Sequence, residues 1–434
     1  MGSTFVGIEI GRSALRAQRL ALEVTGDNIA NAATPGYTRQ QPVFTPVDVF
    51  AEAMVQAETG VVRLGTGVSV EQVRRVRDQY LEEQLRAAKS VVAYWEESQN
   101  SLRRVEALFV ESSAEGLQET LTRFWSGWEE LAQNPQEQAP RAAIREAADA
   151  LAGQLNYLSS ELSRIEADLA ALTADYVTRV NELTDRLAGL NQRIRALGRQ
   201  VSNHVLDERD RLLGELSELI AIEVVENDDG TVTVTGAGQT LVDGFEAQDV
   251  TEDGLAALAG GPGGKLGALL EARNKAAYYR EKIVNFMSAL AGRVNEAYEG
   301  TFFVFDGETI GLSDEIKESA GNIVAGRSGY PGDNSVAVAV AQLREAPVLE
   351  GLTFGQYYRQ LVAEVGGAAS GAETMATAYG RVRDNLEALR EGVSGVSLDE
   401  ELTFLMHYRY AYQAAAQYIS VVDEMLDTLV NRLR

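Results

Sequence analysis

LAGQLNYLSSELSRIEADLAALTADY, residues 151–176, is the stretch that decides the fold. Leu151, Leu155, Leu158, Leu162, Ile165, Leu169, Leu172 and Tyr176 recur in it by alternating steps of four and three. After an interruption at Arg179, the pattern resumes with Leu183, Leu187, Leu190, Ile194, Leu197 and Val201. An apolar period of ~3.5 residues kept up this long predicts a coiled-coil seam along one rod. At ~1.5 Å per residue the rod would be roughly 75 Å long. That length suits a spacer or an assembly element better than a compact catalytic domain.

Working outward, the upstream segments are also helical in pattern. A helix is expected from about Ser69 to Val110, through Val73, Val76, Tyr80, Ala87, Val91, Tyr94, Leu102, Val105 and Phe109. A shorter one carries Leu117, Leu121, Phe124, Trp125 and Trp128 and stops at Asn134-Pro135. Residues 37–69, with Pro42, Pro46, Gly60, Gly65 and Gly67 among β-branched runs, predict an extended connector holding one or two short strands. Downstream, residues 222–225 and 231–234 flank Asn227-Asp228-Asp229-Gly230 as a β-hairpin with an Asp-Gly turn. The glycine-rich run at 260–264 leads into a helix over residues 266–298. Residues 300–335 predict a mixed loop region with apolar pieces such as Phe302-Phe303-Val304-Phe305. Helices resume near Thr353 and again from about Ala372 to Arg390.

Both ends of the chain predict amphipathic helices. From Thr4 to Ala32, Ile8, Leu15, Leu22 and Ile29 recur every seven residues, widened by Ala14, Ala17, Ala21 and Val24. Gly7, Gly11 and Gly26 each cost roughly 1 kcal/mol there relative to Ala, so this helix needs a partner. Thr34-Pro35-Gly36 ends it. The last helix opens on Ser397 and Glu400 at capping-box spacing. Phe404, Tyr408, Ala411, Ala415, Tyr418, Val422, Met425 and Leu429 follow in one row, with Leu402, Leu405, Tyr412, Ala416, Ile419 and Leu426 beside it. Two adjacent rows predict burial on a broad face against more than one neighbour.

Composition narrows the function. The 434 residues allow two or three domains, and 45% hydrophobic residues can fill their cores. The 64 acidic residues against 39 basic ones argue against nucleic acid and anionic membrane as partners. With no Cys there is no disulfide, thiolate nucleophile or cysteine metal site. The start, Met1-Gly2-Ser3-Thr4-Phe5, does not read as a secretory signal, and no run of ~18 apolar residues predicts a membrane span.

No constellation suggests catalysis or a cofactor. His204 and His407 lie in helical stretches without triad-type neighbours. Asp207, Glu208 and Asp210 beside His204 fit a solvated helix face, paired to Arg209 and Arg211, better than a metal site. Asp306-Gly307-Glu308, and Asp333 near Gly329 and Gly332, lack a twelve-residue calcium loop. Gly260 to Gly264 has a phosphate loop's glycines without its Gly-Lys-Ser/Thr ending, and fits a linker. Trp95, Trp125 and Trp128 fit core positions.

The segment from Asn28 to Tyr37, Asn-Ile-Ala-Asn-Ala-Ala-Thr-Pro-Gly-Tyr, resembles the N-terminal signature of axial flagellar proteins. Its continuation Thr38-Arg39-Gln40 resembles the hook-associated protein 1 family in particular. Asn134-Pro135 with Arg141 is similar to that family's interhelical turn, and Asp207 to Ser217 to its Asp-x-Arg-Asp-x-Leu-Leu run. Residues 395–401, followed by Ala411-Tyr412-Gln413-Ala414-Ala415-Ala416, resemble its C-terminal pattern. The likeness spans nearly the whole chain in order. His407-Tyr408-Arg409-Tyr410 departs from it, standing where the family usually has Gln-rich residues.

The resemblance implies a mainly α, elongated, multi-domain axial protein with a small β portion, and no enzyme. The terminal helices (1–60 with 395–434) would pair as an α-helical coiled coil and stay disordered in the monomer. Residues 61–220 with 265–394 would form a long helical bundle, 221–264 a small β-hairpin element, and an outer domain near 300–335 would be reduced or absent. Copies would self-assemble into a ring at the junction of hook and filament. Hook protein and hook-associated protein 3 would be neighbours, and a flagellar export chaperone a partner. Export through the flagellar type III channel, without signal cleavage, would place the protein outside the cell. The interface would comprise Ile8, Leu15, Leu22 and Ile29 packed on Phe404, Tyr408, Tyr412, Tyr418, Ile419, Val422, Met425 and Leu429. Asn28, Asn31, Thr34, Gly36, Tyr37 and Arg39 would shape the turn leaving it. Hook-associated protein 3, a rod or hook protein, and a coiled-coil adaptor are the alternative readings.

Overall fold

The computed structural model describes residues 2–47, 54–57, 60–63, 65, 67–109, 116–251, 254–255 and 261–431. Its spine is a helix of 60 residues, α4 (Gln138–Leu197), about 90 Å long. The apolar period predicts a coiled-coil seam along one rod. Instead α4 passes through two cores in succession. Leu151, Leu155, Leu158, Leu162, Ile165 and Leu169 lie in the first, among α2 (Gln79–Phe109), α3 (Leu117–Gln133) and α6 (Gly264–Tyr298). Val177, Val180, Leu183, Leu187 and Leu190 lie in the second, against α5 (Asn203–Leu219) and a small sheet. A heptad stripe fits any neighbour that presents apolar surface along one line, so several short partners replace one long one. The stripe runs out early, and Leu197 is exposed.

The first core is the larger. Phe124, Trp128, Phe302 and Phe303 meet edge-on or tilted in it, with Trp125 stacked on Phe354. Such ring pairs add about 0.5–1.5 kcal/mol each beyond the area they bury. Residues 300–335 contribute to this core rather than forming a loop region. A hairpin of β9 (Phe303–Phe305) and β10 (Ile310–Leu312) leads into α7 (Asp314–Glu318), and Phe302, Ile310, Leu312, Ile316 and Ile323 are all buried there. Asp306 closes the hairpin. Its carboxylate accepts from the Glu308 and Thr309 amides at 2.9 and 2.6 Å, and these bonds hold its pKa down at about 2. The short α8 (Ser335–Gln342) covers the same core.

Three expectations need correction. Residues 68–75 are a strand, not the start of a helix: β4 (Val68–Arg75) pairs antiparallel with β1 (Gln40–Pro46), and α2 begins only at Gln79. Val68, Val70 and Val73 serve an alternating pattern across a bulge as well as a helical one. Between them β2 (Met54–Ala57) and β3 (Gly60–Arg63) form a further antiparallel pair. Second, the hairpin of β5 (Ile222–Glu226) and β6 (Val232–Gly236) continues through β7 (Gln239–Asp243) and β8 (Glu246–Ala247) into a four-stranded sheet. Third, the helices near 353 and 372–390 are one helix, α9 (Phe354–Ser394), opened by a capping box between Thr353 and Gln356. The helix carries glycines at 366, 367, 371 and 380, and α2 lies alongside and holds it together. Ion pairs Arg103–Glu373 at 2.8 Å, Arg383–Glu96 at 3.4 Å and Lys89–Glu387 at 3.8 Å mark the antiparallel pairing.

Helix-borne asparagines fix the β elements by a repeated device. The Asn191 amide donates to the Val232 carbonyl at 2.8 Å and accepts from the Val232 N–H at 3.0 Å. Asn156 holds Ile310 in the same way at 2.8 and 2.9 Å, and Asn181 holds Val250 at 3.1 and 2.9 Å. A carboxamide carries the donor and acceptor of a peptide unit, so each asparagine stands in for a neighbouring strand. Val232 and Ile310 are the first residues of β6 and β10.

Candidate assembly face and the hub that anchors it

The two terminal helices, α1 (Gly2–Ala30) and α10 (Leu398–Asn431), lie antiparallel along each other. Their closest approach is made by small residues. A Cβ on Gly11 would stand 2.5 Å from Cγ1 of Ile419, and one on Gly7 would stand 3.2 Å from the Tyr418 hydroxyl. The buried stripe of α1 is accordingly Gly11, Ala17, Ala21, Val24, Thr25 and Asn28. Ile8, Leu15, Leu22 and Ile29 sit one position off that stripe and are only half-buried. Two of the glycines that weaken α1 as an isolated helix, Gly7 and Gly11, are what allow the close contact.

Helix α10 uses one narrow face on α1. Tyr408 and Val422 are buried, Ile419 is half-buried over Gly11, and Tyr418 reaches over Gly7. Phe404 stacks on Tyr408, which also meets Phe44 of β1 at 6.1 Å. The expected broad burial is absent from the single chain. Leu398, Leu402, Met406, Tyr410, Tyr412, Val421 and Met425 remain exposed, Met425 by 58%. The side chain of Leu429 lies outside the described residues. His407 is exposed beside the Tyr408 ring.

Where α1 ends, the chain turns through a dense polar hub. Asn28 Nδ2 donates to the Gln40 carbonyl at 2.9 Å and to Oε2 of Glu401 at 3.0 Å. Its Oδ1 accepts from the Gln40 N–H at 2.9 Å and from the Tyr37 hydroxyl at 2.8 Å. Gln40 opens β1, so Asn28 repeats the asparagine device of the body. The single Tyr37 O–H is shared with Asp27, whose carboxylate lies 3.0 Å away; burial, and then the Asp27 charge, push the Tyr37 pKa well above the usual phenol range. Asn31 caps Asp27 at 2.9 Å and accepts from Thr34 at 3.3 Å. Gly36 takes φ +81°, a left-handed turn open to glycine, against the Arg211 side chain. Arg39 donates to Glu400 and Glu401, both at 2.8 Å, and its guanidinium lies 5.7 Å from the Phe404 ring centre. Glu400 is thus drawn to Arg39 and away from the Ser397 cap expected of it.

The hub is rooted in the body. Asp207 and Arg209 are buried rather than solvated, which corrects the reading of this run as an outer helix face. Arg75 of β4 donates to Asp207 at 3.0 Å and to Asp210 at 2.7 Å, and Arg77 donates to Asp210 at 2.8 Å. Arg209 bridges Asp210 and Glu226 of β5 at 3.0 and 2.8 Å. Burial alone would raise the Asp210 pKa, but Arg209, Arg75 and Arg77 outweigh it and hold the carboxyl below its ordinary range. Asn203 completes the circuit by donating to the Gln40 side chain at 2.8 Å and to the Val73 carbonyl at 3.2 Å. His204 lies 3.4 Å from Asp27, with its ring 5.9 Å from Tyr37.

Three stretches far apart in sequence (28–40, 207–211 and 394–401) therefore meet at one place. Residues 102–309 match the family model described as the flagellar hook-associated protein FlgK helical domain. Residues 8–38 match that of the flagella basal body rod protein, and 392–433 that of the flagellar basal body rod FlgEFG protein C-terminal region. Flagellar hook-associated protein 1 of Bacillus subtilis is 29% identical, over 99% of each chain. Along its whole length the chain is similar to the flagellar hook-associated protein 1 family.

Its Salmonella typhimurium counterpart in that family is 26% identical over 55% of this chain and 42% of its own length. The flagellar hook junction protein FlgK of Burkholderia pseudomallei shares the fold, with a TM-score of 0.63 at 14% identity, covering 72% of this chain and all of the other. Hook-associated protein 1 is a structural component of the flagellum and not an enzyme, and flagellar axial proteins associate with other rod and hook components. Of the hub, sequence reasoning named Asn28, Asn31, Thr34, Gly36, Tyr37 and Arg39 but missed Asp27, Arg75, Arg77, Asn203 and Glu401. Their signal was weak because Arg75, Arg77, Asn203 and Glu401 reach the hub from distant segments, and Arg75 and Arg77 fall in or just after β4, whose pattern reads as helix.

Proposed function

We propose that this chain is a subunit of the junction between hook and filament, assembled through α1 and α10. The observation that carries the reading is the apolar face of α10 left open on the far side from α1. A soluble helix rarely exposes Leu398, Leu402, Met406, Tyr410, Tyr412, Val421 and Met425 together unless another surface covers them. Copies of the same chain in a ring would cover it, with hook protein and hook-associated protein 3 above and below. The α1–α10 pair is an axial unit, the helices from α2 to α9 a body, and β5–β8 a small appendage. Export by the flagellar route, with its chaperone, would deliver the chain outside the cell.

On the α1 side the seam is built largely from small residues, Gly7, Gly11, Ala17 and Ala21, which supports ends that order fully only on assembly. Limited proteolysis of dilute monomer should then release residues 1–60 and 395–434 before the body is cut; equal protection would count against this. The main test is deletion of residues 405–434. The truncated chain should keep a folded body yet fail to incorporate at the hook–filament boundary, as located by labelled electron microscopy. Normal incorporation would remove α10 from the interface.

A further inference from the structure

Helix α9 carries a second stripe that the fold does not use. Its inner face, at Ala369, Ala372 and Ala376, is buried beside Leu102 of α2 or close to it. On the adjoining flank Met375, Tyr379, Val382, Leu386, Leu389 and Val393 recur by steps of four and three. All but Leu386 are exposed, Val382 by 47% and Leu389 by 60%. The neighbouring row is Thr374, Ala378, Arg381, Asn385, Ala388 and Gly392, with Arg381 its one charge. In a chain that is 24% charged, a solvated helix face should alternate acids and bases. An exposed apolar row of ~3.5-residue period, bordered by small residues, is shaped to receive another helix.

We propose that this flank of α9 is a docking seam for a neighbouring copy of the same chain, extending the open face of α10 onto the body. The proposal rests on the assembly reading above. Continuity selects this occupant. Val393 is followed, after residues 394–397, by exposed Leu398 and Leu402, so apolar surface runs along the chain from α9 into α10 with only the helix break between. Charge agrees: two copies of net charge −25 repel, and the two rows of α9 present no carboxylate to add to that repulsion. Area agrees as well. These partly covered side chains offer less than the roughly 800 Å² per partner of a standing complex. The seam is therefore too small to hold a dimer in dilute solution and is filled where α10 is already engaged.

A photo-crosslinking benzoylphenylalanine placed at Leu389 of the full chain, in assembled flagella, should give an adduct with the mass of two copies. The same probe at Tyr412 of α10 separates the two readings. Adducts of two copies from Tyr412 but none from Leu389 overturn the α9 seam alone. No such adduct from either overturns the assembly reading with it. A Leu389 adduct to a different protein overturns the choice of occupant. The double substitution Val382→Glu with Leu389→Glu, at exposed positions, should leave the unfolding midpoint of the purified chain unchanged while lowering incorporation at least ~10-fold. Full incorporation of that variant also sinks the proposal.

Discussion

Asn28 and Glu401, 373 residues apart in the chain, share a buried hydrogen bond of 3.0 Å. Through it the end of α1 and the first turn of α10 hold one another at the elbow where both enter the body. Asn28→Ala would leave the Glu401 carboxylate and the Gln40 backbone short of partners, costing about 2–4 kcal/mol. Asn28→Asp should cost more at neutral pH, because it sets two carboxylates side by side. Adding Glu401→Gln should restore part of the loss. A double-mutant cycle on thermal unfolding measures this coupling, and simple additivity would show the bond to be idle.

The glycines of α1 divide into opposite kinds. Gly11→Ala puts a methyl 2.5 Å from Ile419 and should destabilise the helix pair by about 1–3 kcal/mol, relieved by Ile419→Ala. A Cβ on Gly26 meets nothing within 4 Å, so Gly26→Ala should stabilise by up to ~1 kcal/mol. Circular dichroism melts of the three variants check both signs.

Acid should open the hub through Asp210. Its folded pKa is depressed, so the stability it contributes is fully present above the unfolded value of ~3.9 and is lost as pH falls below it through the folded pKa. Asp210→Asn leaves Arg75, Arg77 and Arg209 less well compensated and should cost about 3–5 kcal/mol at neutral pH. The variant should also lose part of the acid dependence. Denaturant unfolding across pH 2–7 reads both effects; parallel curves would contradict the assignment.

Asn191 tests the asparagine device. Asn191→Leu leaves the Val232 and Gly244 backbone groups unpaired in a buried site and should cost at least ~3 kcal/mol. The Val232 amide should lose hydrogen-exchange protection while the amides of α3 and the first core keep theirs. Unchanged protection at Val232 would mean that the sheet is held by its own ladder.

Much of this architecture is legible in the sequence, and the failures share a cause. The α4 stripe, the Asn227–Gly230 turn and both terminal helices follow from spacing and turn chemistry, which are local. The strand at 68–75 was missed because its partner is β1, and Val68, Val70 and Val73 satisfy two periods at once. The unbroken α9 was missed because its glycines are weak only in isolation. At the α1–α10 contact the spacing points to the largest side chains as the seam, whereas close approach is made by the smallest. The hub was half legible: Asp207 and Asp210 stood out as a cluster, but their partners Arg75 and Arg77 come from a strand read as helix.

The asparagine clamps carry a consequence for the order of folding. A two-stranded hairpin is marginal by itself, and a slip of one residue reverses every side chain in it. Here β1, β6 and β10 are each gripped at their first residue by an asparagine on α1 or α4. Register information thus resides in the helices, and a strand has nothing to measure itself against until its helix exists. Pulse-labelled exchange should find α4 amides protected before those of β6 and β10, with the strands closing from their clamped ends.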